Sequence, residues 1–151
     1  MTRPHASRII IVPCSNRKDP AAGLLPAEER YTGSYYRASR AAANAIALHY
    51  GGQILILSPK LGLLDPREGI PDYDTVWQSP DAKAMDAIRQ DAERLGATGL
   101  PVVALVSAEY VRRIGAILPG SEVTTPLKGH RYLERCYAIA REPELAAGYI
   151  R

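Results

Sequence analysis

Two short polar runs, each directly behind an apolar stretch, hold the residues best suited to chemistry. The first is Pro13-Cys14-Ser15-Asn16-Arg17-Lys18, after Arg8–Val12; the second is Ser58-Pro59-Lys60-Leu61-Gly62, leading to Asp65, after Ile54–Leu57. Cys14 offers a nucleophilic thiolate favoured by Arg17 or Lys18, or else a small side chain packed under a turn. Ser15 and Ser58 add hydroxyls, and backbone amides of the Ser15–Lys18 turn can form an anion nest. Lys18 and Lys60 supply point charges for a phosphate or a polarised carbonyl, unless they are simply solvated. Asp72-Tyr73-Asp74 places two acids around an aromatic. Either carboxylate can serve as general base or stabilise positive charge building on a sugar ring; the alternative is a loop that caps its own amides. Asp65, before Pro66, is an acid at the same strand end or a turn starter. Tyr31, Tyr35, Tyr36 and Tyr73 offer faces for a planar base, but a tyrosine on a helix reads as core, which leaves Tyr31 and Tyr73, both outside helices. His130, after Gly129 at a helix start, can donate to a developing anion or sit on the surface.

Strands must carry these runs. Ser7–Val12 and Gln53–Leu57 read as buried parallel strands, and Pro59 ends the second because it cannot donate to a ladder. Pro101–Val106 is a third strand and Ser121–Thr125 a short fourth. Helices are expected from about Ser34, as N-cap, to Tyr50 before Gly51-Gly52; over Pro80–Leu95, capped by Ser79; from Ala108 to Leu118, capped by Ser107; and over Gly129–Arg141. The first buries a face of Ala38, Ala41, Ala42 and Ala45. Pro13–Arg30 and Leu61–Gln78 read as long functional loops. The order β-α-β-α-β-α-β-α predicts one α/β domain over residues 1–151, with 1–7 a loose leader. Its mainly parallel four-stranded sheet has helices on both faces, in three layers. In such sheets the ligand lies beyond the carboxyl ends of the strands, where Cys14/Ser15, Ser58/Lys60, Ser107/Glu109 and Thr124/Thr125 fall.

Composition narrows the classes. With 151 residues, 46% hydrophobic and 23% charged, the chain can bury one core. No apolar run reaches the length of a membrane span, and Met1–His5 holds no signal-peptide core, which predicts a cytoplasmic protein away from membranes. Two distant cysteines then read as reduced thiols, with Cys136 in the core. Two cysteines and three histidines without tight spacing predict no metal, and the lack of a Walker sequence or spaced glycine fingerprint predicts no cofactor bound in those ways. The net charge of +3 suits a phosphorylated ligand.

The set Pro13-Cys14-Ser15…Lys18, Tyr31-Thr32-Gly33, Ile56-Leu57-Ser58…Lys60-Leu61-Gly62-Leu63-Leu64-Asp65-Pro66 and Tyr73-Asp74 resembles a poorly characterised bacterial and phage family. Its members read PCSxxK, LYxG or YTG, ILSAKHGLLDP and PYD, and are sometimes labelled as YaaA-like peroxide-stress proteins. The PCSxxK run is also similar to one in archaeosine synthase, whose domain resembles the uracil-DNA-glycosylase superfamily. The resemblance covers about residues 8–76. It implies a uracil-DNA-glycosylase-like or Rossmann-like fold and a site built from Cys14, Ser15 and Lys18 facing Ser58, Lys60, Asp65, Tyr73 and Asp74. This chain departs from the pattern at Pro59, at Leu61 and in the extra residue of Pro71-Asp72-Tyr73.

Two functions follow as expectations. One is an enzyme acting on a nucleobase, nucleoside, nucleotide or modified nucleic-acid base by N-glycosidic cleavage or base exchange, with Asp74 or Asp72, Cys14 and Ser15 at the reacting centre. Lys18, Tyr31, Ser58, Lys60, Gly62, Asp65, Tyr73 and His130 would bind the substrate. The other is a non-catalytic DNA- or RNA-binding or peroxide-stress protein using Arg112, Arg113, Arg131, Arg135 and Arg141. A homo-oligomer is compatible with either.

Overall fold

The computed structural model describes residues 6–151, so most of the expected leader, residues 1–5, lies outside the described residues. The elements run β1 (Ile9–Pro13), β2 (Leu25–Pro26), α1 (Ala27–Arg30), α2 (Ser34–Tyr50), β3 (Gln53–Ser58), β4 (Gly62–Leu64), β5 (Gly69–Ile70), α3 (Met85–Arg94), β6 (Val102–Ala104), α4 (Ala108–Ile117), β7 (Val123–Thr124) and α5 (Tyr132–Arg141). A 3-10 turn over Pro143–Tyr149 follows.

The main sheet has the order β4-β3-β1-β6-β7. β3, β1, β6 and β7 are parallel, in the register Ile10↔Ile54, Ile10↔Val103 and Val103↔Thr124. β1 is apolar throughout because both of its faces are covered. Ile10 and Val12 pack with Ala38, Ala42 and Ile46 of α2 and with Cys136 and Ile139 of α5. Ile9 and Ile11 pack with Ile88 and Ala92 of α3 and with Ile114 and Ile117 of α4. The small alanines let α2 lie close to the sheet.

The expected count of four strands is corrected to five. Gly62–Leu64 turns back antiparallel on β3, with Ser58 opposite Gly62, inside a segment expected to be loop. All three residues are buried, but a run so short shows no periodicity. Gly62 makes the reversal possible. Its φ is +80°, and a Cβ there would stand 2.0 Å from Asp91 Oδ2. Asp91 in turn holds Lys83 Nζ at 2.7 Å, which ties the hairpin to α3.

Helix starts differ from expectation in three places. α2 has Gly33 as its N-cap and Ser34 as its first residue. α3 begins at Met85, because Ser79 and Asp81 are engaged in the preceding loop: Val76 N donates to Ser79 Oγ and Thr75 Oγ1 to Asp81 Oδ2. α5 begins at Tyr132, three residues after Gly129. The long 13–30 segment is not free loop either. Arg30 is fully buried and donates to the carbonyls of Asp19, Ala21, Gly23 and Ile70, at 2.6–3.1 Å. One guanidinium thus fixes that loop and the small β2–β5 ladder.

Candidate functional site

A cleft of about 960 Å³ opens beyond the carboxyl ends of β1 and β6. Its walls come from Pro13–Arg17 after β1, from Thr32, Gly33 and the first turn of α2, from Ser107 and Tyr110 at the start of α4, and from Tyr132 and Tyr137 of α5. The fold therefore puts a pocket where a parallel sheet is expected to have one.

The close fit of two motifs builds this corner. Ser15 Oγ accepts from Gly33 N at 3.1 Å and donates to Arg17 O at 2.6 Å. A Cβ on Gly33 would lie 2.6 Å from Ser15 Cβ, so only glycine lets the YTG segment dock on the PCS turn. The N-caps of α2 and α4, Gly33 and Ser107, make no side-chain capping bond, and both line the cleft, so the positive ends of two helices lie beside it. Arg17 and Arg37 line the same space, both exposed, and neither has an ion-pair partner among the described residues. Among the described residues that form the walls there is no carboxylate.

Four of the chain's nine tyrosines meet here: Tyr35, Tyr110, Tyr132 and Tyr137. Two are anchored. Tyr110 Oη shares a hydrogen bond with Cys14 Sγ at 3.3 Å, and Tyr132 Oη donates to Leu105 O at 3.1 Å. The other two stand at the rim, Tyr35 at 55% exposure and Tyr137 at 43%. Tyr35 meets Tyr132 edge to face with centroids 4.7 Å apart.

Cys14 joins this cleft to a second, inner cluster. Lys18 Nζ lies 4.3 Å over the Tyr73 ring, and Tyr73 Oη bonds Ser58 Oγ at 2.7 Å and also Tyr31 Oη. Ser58 Oγ accepts from Leu61 N at 3.1 Å, which closes the β3–β4 turn. The PCSxxK, YTG, Ser58 and DYD segments thus converge. Burial pushes the Cys14 thiol above its ordinary range, against the opposing pull of Tyr110 and Lys18. Burial lowers Lys18, while Cys14 when ionised, and Asp72 and Asp74, work the other way. Cys14 therefore rests as a thiol, and both acids act on Lys18 although they are exposed and outside the cleft walls.

Other expected site residues have different duties. Lys60 turns away to Asp81, 3.4 Å from Oδ2. Asp65 takes the turn role, accepting from Arg67 N at 2.9 Å and pairing with the Arg67 guanidinium. Tyr31 is 2% exposed, so it presents no face to a ligand. Ser58 is buried beneath Tyr73, and Gly62 serves the hairpin. His130 is exposed and outside the cleft walls. Residue type did not single out Arg37, Tyr110, Tyr132 and Tyr137, and helical Tyr35 read as core. The signal available was position, since each lies in the first or second turn of a helix that follows a strand end or a turn. Of the C-terminal arginines, Arg113 stacks over Trp77 at 4.4 Å and pairs with Glu109, while Arg135 donates to the Pro126 and Leu145 carbonyls.

Among the described residues no group of three or more histidine, cysteine or acidic side chains is placed to hold a metal ion. No helix among them is long and apolar enough to cross a membrane. Both cysteines are free thiols. Residues 9–141 match the model of a family of unknown function, DUF6884, and the chain belongs to that family. No curated protein matches the chain.

Proposed function

We propose that the protein is an enzyme that binds a phosphorylated, nucleobase-containing molecule in the Cys14 cleft and cleaves or exchanges its N-glycosidic bond. The observation that carries this is the chemistry of the cleft walls. Two arginines with no ion-pair partner among the described residues and the first turns of two helices favour an anion, no carboxylate among the described wall residues repels it, and tyrosine faces suit a planar base. The bond to be broken lies toward Cys14, which joins the cleft to the Lys18–Tyr73 cluster; the exposed acids Asp72 and Asp74 act on Lys18 from outside the walls. One of those acids supplies the carboxylate that an oxocarbenium-like sugar requires. The same reading assigns the α/β fold to the uracil-DNA-glycosylase-like group.

The peroxide-stress alternative is less favoured, because a thiol pushed up by burial is a poor peroxide sensor. A non-catalytic nucleic-acid-binding role through the C-terminal arginines is weakened by the internal partners of Arg113 and Arg135. The test is incubation with nucleosides, nucleotides and modified DNA, with chromatography for free base. Base release is expected, lowered by about two to four decades in whichever of Asp72→Asn and Asp74→Asn removes the working carboxylate. No release from any substrate contradicts the reading.

A further inference from the structure

We infer that the cleft takes its base from a single-stranded polynucleotide rather than from a free nucleotide. This rests on the proposed function and narrows its substrate. A mononucleotide has one ring to stack, and the anchored pair Tyr110 and Tyr132 already line the inner wall. Tyr35 and Tyr137 then remain at the rim, 55% and 43% exposed, with no hydroxyl partner among the described residues. Exposed aromatic faces beside a base-sized cleft suit neighbouring bases of an unpaired strand, because every base has a face to stack.

Charge follows the same line. Lys128-Gly129-His130-Arg131 is an exposed turn that leads directly into Tyr132 at the cleft wall. Lys128 and Arg131 have no ion-pair partner among the described residues, and chain continuity with Tyr132 brings their charge toward the cleft that Arg17 and Arg37 line. A strand with its base in the cleft has flanking phosphates to place along this rim; a free nucleotide has none. His130 thereby gains a setting outside the reacting centre. A duplex cannot use the rim tyrosines, because its bases are already stacked on one another.

The experiment is fluorescence anisotropy with a labelled ten-nucleotide single strand, in DNA and RNA versions, across a salt series. A matching duplex and a nucleoside monophosphate panel serve as competitors. The single strand is expected to bind at least about tenfold more tightly than any monophosphate and than the duplex. Tyr35→Ala with Tyr137→Ala should weaken the oligonucleotide about five- to 150-fold per lost stack. Lys128→Ala with Arg131→Ala should leave monophosphate binding unchanged and flatten the log–log salt slope by about 1.4, at roughly 0.7 per phosphate contact. Circular dichroism checks that both variants fold. Monophosphate binding with no gain for the oligonucleotide overturns this inference and leaves the proposed function standing. Equal binding of duplex and single strand, or an unchanged salt slope in the Lys128/Arg131 variant, also overturns it. Binding of neither ligand removes both readings.

Discussion

Gly33 and Ser15 show how tightly the site depends on single atoms. Adding one methyl at Gly33 puts two Cβ atoms 2.6 Å apart, with ordinary φ at that position, so the penalty is steric. Gly33→Ala should cost about 1–3 kcal/mol, read as a lower midpoint in urea. Ser15→Gly in the same chain should recover part of it; additive effects in the double-mutant cycle would contradict the contact. Arg30 makes a second case. Arg30→Ala leaves four carbonyls without their donor and is expected to cost about 3–5 kcal/mol, while Arg30→Lys should not restore the loss because an ammonium lacks the planar fork. Cys14 gives a third. Its thiol is pushed up by burial and drawn down by the Tyr110 hydroxyl. Iodoacetamide should label it more slowly at neutral pH than a free cysteine, with a rate that climbs into the alkaline range. Tyr110→Phe should shift that profile to still higher pH; a shift to lower pH would show that the bond works in the other sense.

At the scale of elements, the parallel strands, the extent of α2 and the place of the pocket were legible in the sequence. β1 and β3 announce themselves by apolar runs that stop at proline, and α2 by its alanine face and double glycine. What escaped reading depends on contacts between distant segments. β4 is three residues long and is set by its pairing with β3 and by the Lys83–Asp91 pair beneath it. Ser79 and Asp81 look like caps in sequence but bond within the loop, which moves the start of α3 to Met85. Lys60 follows a strand end, as a catalytic lysine would, yet the hairpin turns it toward Asp81. The site is half legible: residue type points to Cys14, Lys18, Ser58 and Tyr73, which do converge, whereas Tyr110 and Tyr132 reach the cleft wall from helices and only their position marks them. At this scale Asp91→Ala should loosen the β4 hairpin as well as α3. Hydrogen exchange should speed at Leu63 and Leu64; unchanged exchange there would deny the link.

At the scale of the molecule, two apolar layers enclose the sheet and leave its polar edge at one end. Burial also sets the response to pH. The Cys136 thiol is pushed up from 9.0 to about 11, and Cys14 is raised too. Both are neutral in the fold, while the unfolded chain ionises them near pH 9. Their contribution is therefore complete below about pH 8.5 and is lost as pH rises toward 11, so the melting temperature should fall across that interval. A midpoint that rises there would contradict the buried thiols.

The most direct measurement is a crystal structure of the protein soaked with a nucleoside monophosphate. The account predicts the phosphate between Arg17, Arg37 and the first turn of α2, with the base against Tyr110 or Tyr132 and the sugar toward Cys14. Density for the nucleotide in the shallower depression by Glu28, Arg40 and Arg67, with the Cys14 cleft holding none, would contradict it.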